Sequence, residues 1–250
     1  MITNLREELF KFSHQKSVVA GIIILILLMI YSALTTKTDA TQVIFEFGAV
    51  QWIPIIIIAV GSTFFAMEYQ NRTIVILVYK HTKRWQIYFS KLMIVWLYSI
   101  VLTIITTILT IIIKSLFIDT PWSTLITNHQ TQLTLLIGNI IGTLIYALFI
   151  VALSFMLIMI MKVNAVVIGI GLSLGFLGAG ISVALMKSFT SLIPILRWNP
   201  LNMIFITQQL ANPPYAAISH LSLIEIVGGN LIYTIIFIIL GYNLFKKRRI

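Results

Sequence analysis

In a chain of 250 residues, 59% are hydrophobic and 10% are charged, with a formal net charge of +10. Soluble domains carry about 25% charged residues, so the composition excludes a water-soluble globular domain and indicates an integral membrane protein. The absence of cysteine removes disulfides, thiolate metal sites and cysteine nucleophiles together.

The chain opens with Ile2, Leu5, Leu9 and Phe12 at steps of three, four and three, with Arg6, Glu7, Glu8 and Lys11 between them. That spacing predicts an amphipathic helix within 1–17, lying along the inner membrane surface. Six uncharged apolar runs follow, at 18–34, 49–67, 92–113, 133–161, 165–186 and 226–245. Each is long enough to cross about 30 Å of hydrocarbon, so the expected fold is all-α with six transmembrane helices in a single domain, 1–250. The first run is longer than the apolar core of about 7 to 15 residues in a cleavable signal peptide, and mixed charge precedes it, so no such leader is expected. A charge at mid-bilayer costs about 2.5 to 3.5 kcal/mol. Clean runs therefore predict plain helices without ion relays.

Between the runs, 35–48 and 114–132 read as ordinary connections, the second turning at Pro121. The segment EYQNRTIVILVYKHTKR, 68–84, is different: 73–81 is apolar but makes only about two and a half helical turns, too short to cross. Ile74, Leu77, Val78 and His81 share one face, Lys80, Lys83 and Arg84 meet the anionic leaflet, and Trp85 anchors the return into the third run. Lys162, Val163 and Asn164 alone join the fourth and fifth runs, which predicts a tight hairpin. The stretch 187–225 is long and half apolar, and Pro194, Pro200, Pro213 and Pro214 are expected to break it into short re-entrant or interfacial helices that cap the outer mouth.

Lys and Arg resist translocation, which sets the orientation. With both termini cytosolic, the inner segments hold thirteen cations against Glu7, Glu8 and Glu68, while the outer ones balance Lys37, Lys114, Lys187 and Arg197 against Asp39, Glu46, Asp119 and Glu225. The excess positive charge thus marks topology, and the terminal run from Lys246 to Arg249 is a stop at the headgroups; no nucleic-acid partner is expected.

Catalytic motifs fare poorly. Gly171, Ser173 and Gly175 spell the G-x-S-x-G nucleophile elbow, but that elbow needs a strand-to-helix turn and a nearby histidine, and His14, His81, His129 and His220 all lie outside the runs. Gly171, Gly175 and Gly178 instead share a helical face suited to close packing on a helix of this chain or of a second copy. There is no H-E-x-x-H and no G-x-x-x-x-G-K-[ST] loop. The chain is read as not an enzyme, with no metal or cofactor of its own. Gln51, Asn139, Asn230 and Asn243 are expected to bridge helices, and Trp52, Trp96, Trp122 and Trp198 to anchor span ends.

FFAMEYQNRTIVILVYKHTKRWQIYFSKL, 64–92, resembles the intracellular loop of ABC-2-type transporter permeases: a span ending at Glu68, then Arg72-Thr73, a short apolar helix with Leu77, a turn, and Arg84-Trp85 leading to Lys91-Leu92. Trp198-Asn199-Pro200-Leu201 is similar to the segment that family carries before its last span, and the leading helix to its elbow helix. Asn71 departs from the acidic residue or glycine common there. The resemblance implies a coupling helix within 68–91 that docks on a cytosolic ATPase, with Glu68, Arg72, Thr73, Leu77 and Tyr79 at or near that contact and Arg84 and Trp85 fixing it against the membrane. It further implies a pair of permeases (a homodimer) with two ATPase subunits that bind ATP and Mg, and a path between the permeases with Phe64, Phe65 and Phe176 as candidate lining. The chain looks most similar to small permeases of Gram-positive peptide exporters, such as those for phenol-soluble modulins in staphylococci, and more distantly to lantibiotic-immunity permeases. The implied role is export of amphipathic peptides across a bacterial plasma membrane. Hydrophobic drugs or lipids would suit the same walls, and a non-transporting assembly or sensor subunit would suit the same scaffold. A secondary transporter would ordinarily need an intramembrane carboxylate or a broken helix.

Overall fold

Hydrocarbon offers backbone N–H and C=O groups no partner, so charge-free runs of this length must satisfy them internally as helices. The computed structural model describes residues 2–36, 39–71, 84–127 and 130–247. Among these, six helices are long and apolar enough to cross a membrane: α2 (Lys16–Thr35), α4 (Ala49–Gln70), α5 (Arg84–Phe117), α6 (Gln132–Met161), α7 (Asn164–Ser188) and α11 (Leu223–Lys247). The N-terminal helix α1 (Ile2–Ser13) precedes them, and a short α3 (Ala40–Ile44) lies between α2 and α4.

Every apolar run lies within a helix, but the helices extend past the runs. The largest difference is α5, whose 34 residues take in Lys91 and Lys114 beyond 92–113. A helix need not stop where its sequence turns polar, because the headgroup layer accepts charged side chains on a continuing backbone. Lys114 shows how: its ammonium hydrogen-bonds the Thr120 carbonyl and sits 4.5 Å from the centroid of the Trp122 ring. The connection after α5 also holds an antiparallel pair, β1 (Leu125–Thr127) and β2 (Gln130–Thr131), pairing Leu125 with Thr131 and Thr127 with Gln130.

The helices pack around α6, which α4 and α11 cover most extensively. The hairpin from α6 to α7 turns where expected: Lys162 takes the left-handed conformation at φ 61° and its N–H reaches the Ile158 carbonyl. Across it, Asn164 donates to the Thr63 hydroxyl at 2.9 Å. Gly171 and Gly175 settle their partner as α4 of the same chain. A Cβ on them would meet Ile58 at 2.6 Å and Ile55 at 2.4 Å, whereas one on Gly178 would make only ordinary contact with Leu201.

The prolines break 187–225 as anticipated. Three 3₁₀ turns, Thr190–Leu192, Pro200–Phe205 and Pro213–Tyr215, alternate with α8 (Ile193–Leu196), α9 (Ile206–Gln209) and α10 (Ala216–Ser219). Proline at the first positions of the second and third of these turns, and of α8, loses no intrahelical hydrogen bond. The segment nests on α6, where a Cβ at Gly142 would lie 2.4 Å from the Ile206 carbonyl oxygen and one at Gly138 would lie 2.7 Å from Ala211 Cα. Buried polar groups lock it: Asn202 donates to the Arg197 and Ser219 carbonyls, both at 2.7 Å, and Gln209 donates to the Leu221 carbonyl while accepting from Ser219. Asn230 of α11 closes the seam by donating to the Met203 carbonyl.

The first connection departs from the plain loop expected of 35–48. Asp39 caps α3 through the N–H groups of Thr41 and Gln42. Glu46, Phe47 and Gly48 then take positive φ in succession, at 49°, 49° and 87°, a conformation that costs a non-glycine residue roughly 1–2 kcal/mol. The turn is held from three sides. Phe47 is fully buried, Asn139 of α6 donates to the Ile44 carbonyl at 2.8 Å, and the buried Glu46 carboxylate accepts from Thr106 and Thr107 of α5. The apolar runs are free of charge, but the packed bundle still encloses a carboxylate.

Gly142→Ala is expected to lower the thermal unfolding midpoint in detergent by an overpacking cost of about 1–3 kcal/mol, since the clashing atom is backbone. Gly169→Ala, where nothing lies within 4 Å of the added methyl, should leave the midpoint unchanged or raise it. Light-scattering or fluorescence-detected melting of the two variants side by side checks the contrast.

Candidate functional site

Four charged side chains meet at the end of the bundle where α1, the last turn of α4 and the first turns of α5 converge. Glu8 and Lys11 are one turn apart on α1, Glu68 is near the end of α4, and Lys91 is two turns into α5. Lys91 Nζ lies 2.5 Å from Glu8 Oε2 and 3.0 Å from Glu68 Oε1; Lys11 Nζ lies 3.0 Å from Glu8 Oε1 and 3.3 Å from Glu68 Oε1. Each cation therefore touches both anions, and the set has no net charge. The side chains of Lys91, Glu68 and Glu8 are 0%, 2% and 4% exposed, and only Lys11 reaches outward. Lys91 also stands 3.8 Å over the Phe64 ring, whose negative face attracts an ammonium.

Burial by itself would lower the pKa of Lys11, but the adjacent Glu8 and Glu68 carboxylates outweigh it and hold the ammonium above its ordinary value. A folded value above the unfolded one means that the contribution of Lys11 is complete below the unfolded pKa and is lost only as pH rises through the folded one.

Apolar contacts surround the ring. Phe12 of α1 packs edge-on against Phe64 and Tyr98, with centroids at 4.9 and 5.4 Å, and Tyr98 donates to the Val18 carbonyl at 3.0 Å. Gln15 reaches Met67. α1 therefore docks on the bundle through Leu5, Glu8 and Phe12, with Leu9 and Phe10 exposed on its other side. The apolar spacing identified the helix; the face against the bundle is centred one step away, because Glu8 has partners there.

Several expected site residues are placed by this geometry. The buried Glu68 carboxylate faces two lysines of its own chain, Lys11 and Lys91. Arg72, Thr73, Leu77 and Tyr79 lie outside the described residues. Arg84 donates to the Lys246 carbonyl at 2.7 Å, tying the start of α5 to the end of α11, and Trp85 is partly exposed against Phe89. Phe64 and Phe65 are fully buried inside the chain, Phe65 among Tyr69, Tyr88, Phe155 and Phe245. Phe176 differs: half exposed and edge-on to Trp52, it borders a cavity of about 280 Å³ with Gln51, Gly175, Thr207 and Gln208. Ser173 hydrogen-bonds the Gly169 carbonyl of its own helix. Among the described residues, no three His, Asp or Glu side chains converge as metal ligands would.

Residues 25–250 match the family model described as a protein of unknown function, DUF2705. The chain belongs to the DUF2705 family. Comparison with curated proteins returns no match. The match takes in Glu68 and Lys91 but begins after Glu8 and Lys11, so this DUF2705 chain assembles its charge ring from inside and outside the matched region.

The ring was missed because its members are 57 and 23 residues apart. One signal was available: of the acids Glu7, Glu8 and Glu68, one ends a span and another sits one helical turn from a lysine. Lys91→Met is expected to leave Glu8 and Glu68 buried without the enclosed ammonium they share, costing about 3–5 kcal/mol. The double variant Lys91→Met with Glu68→Met keeps the neutral Glu8–Lys11 pair and should lose clearly less than the sum of the single variants. A thermal-unfolding cycle over the four proteins measures that coupling.

Proposed function

We propose that this chain is the membrane-spanning permease subunit of an ATP-driven exporter of amphipathic peptides, working as a homodimer with a separate cytosolic ATPase that binds ATP and Mg. The observation that carries this reading is mechanical. Residues 72–83, with their resemblance to a coupling helix, join α4 to α5 at the ends that the ring fastens to each other and to α1. A push on that segment would reach two spans and the N-terminal helix through one stiff joint. The Arg84–Lys246 hydrogen bond would carry it on to α11.

The distribution of Lys and Arg supports a multi-pass protein of a bacterial plasma membrane with both termini cytosolic. The cavity beside Phe176, apolar with amide and hydroxyl groups at its edge, supports a cargo with one apolar and one polar side, such as a phenol-soluble modulin or a lantibiotic. A second reading has one observation in its favour. The enclosed Glu46 carboxylate has Thr106 and Thr107 as hydrogen-bond donors and no cation partner among the described residues, and intramembrane carboxylates are what ion-coupled transporters use.

Copurification with a P-loop ATPase, followed by peptide-stimulated ATP hydrolysis in proteoliposomes, separates the two. Leu77→Asp should leave insertion and melting unchanged and abolish stimulation by peptide. Full stimulation in that variant would overturn the coupling role, and transport that follows an ion gradient without any ATPase would favour the second reading.

A further inference from the structure

A second cavity, of about 820 Å³, lies where α7 meets the short helices that follow it. Its walls are apolar: Gly180, Val183 and Ala184 of α7 on one side, Ile193, Phe205 and Ile218 of the 187–225 segment on the other. Its volume falls in the range of sites that enclose small ligands. The floor is open along α7, because a Cβ on Gly180 would meet nothing within 4 Å. From Lys187, in the last turn of α7, to Gly180 is seven residues, so the groove runs roughly 10 Å along the helix from its polar end toward mid-membrane.

The charge at its mouth has one sign. Lys187 and His220 line the cavity, and among the described residues no carboxylate does. Arg197, the other cation of this segment, is paired with Glu225 at 3.4 Å and donates to the His220 carbonyl. Glu225 is the sole acid in 187–225, so the local anion is already committed to Arg197. Lys187 has no hydrogen bond or ion pair among the described residues.

We propose that this groove is a binding site for an anionic phospholipid, with the phosphate at Lys187 and an acyl chain lying along Val183, Ala184 and Gly180. A cation at the polar boundary above an apolar trough has the complementary arrangement of a phospholipid, and an ammonium gives phosphate a charge-assisted hydrogen bond that a zwitterionic headgroup weakens through its own cation. Lipid is favoured over peptide because the groove opens on a largely uncovered span, where acyl chains are the surrounding solvent. The site stands independently of the transporter reading.

The test uses the full chain purified in detergent, with phosphatidylglycerol or phosphatidylcholine of identical acyl chains added, and reads retained lipid by native mass spectrometry and the melting midpoint in parallel. Phosphatidylglycerol should be retained more strongly and should raise the midpoint further. Lys187→Gln should reduce its retention about tenfold and leave phosphatidylcholine unchanged, Lys187→Arg should restore it, and Ala184→Trp, filling the trough, should reduce both lipids. Lys187 is exposed, so the folded bundle does not depend on it. Equal retention of the two lipids, or undiminished phosphatidylglycerol on Lys187→Gln, would overturn the proposal. So would a groove covered by a second copy and free of lipid, or one from which an amphipathic peptide displaces both lipids without regard to headgroup.

Discussion

A charge moved from water into a low-dielectric interior loses several kcal/mol of hydration even after relaxation, and only closely placed opposite charge restores it. That constraint governs the end of the bundle where α1 docks. Lys91 is wholly enclosed, and a single carboxylate would leave the pair with little to spare; two carboxylates shared with a second lysine make a neutral group in which each ion has two opposite neighbours. The N-terminal helix is therefore part of the electrostatic ground state of α4 and α5. Without Glu8 and Lys11, those two spans would bury an ion pair lacking half of its surroundings.

Away from that end, the bundle is organised by volume more than by charge. Gly138 and Gly142 leave α6 a bare backbone on which Ala211 and Ile206 rest, and Gly171 and Gly175 let Ile58 and Ile55 press into α7. Apolar transfer supplies little drive between helices already in hydrocarbon, so contact area and hydrogen bonds decide their association. The prolines that chop 187–225 into short turns and the glycines that receive them are two halves of one arrangement, with Asn202, Gln209 and Asn230 satisfying the carbonyls that the breaks expose.

What could be read from the sequence was what depends on local pattern. Charge-free runs mark the spans because insertion is decided segment by segment, and Lys162 marks the hairpin because three residues allow no other route. The glycine face of α7 was visible in its spacing, though not the identity of α4 as its partner. The intramembrane amides were expected to bridge helices, and Gln51, Asn139 and Asn230 do reach across, all to backbone carbonyls. Pairings at a distance left no trace. Glu46 looked like an ordinary loop acid because Thr106 and Thr107 are about sixty residues away, and nothing near positions 46–48 announces three left-handed residues in a row. The inward turn of Glu68 was hidden for the same reason: its place at a span end suggests headgroups, and only the fold brings Lys11 and Lys91 to it.

The hydrogen bond from Arg84 to the Lys246 carbonyl has a practical bearing on how the molecule can be handled. It places the far end of α11 beside the point where the 72–83 stretch rejoins the helices, so a bulky label attached at Lys246 or Lys247 would crowd that junction. The N-terminal side is constrained too, since α1 is seated on the bundle. The connection carrying Pro121, remote from both, is the better place for an inserted epitope.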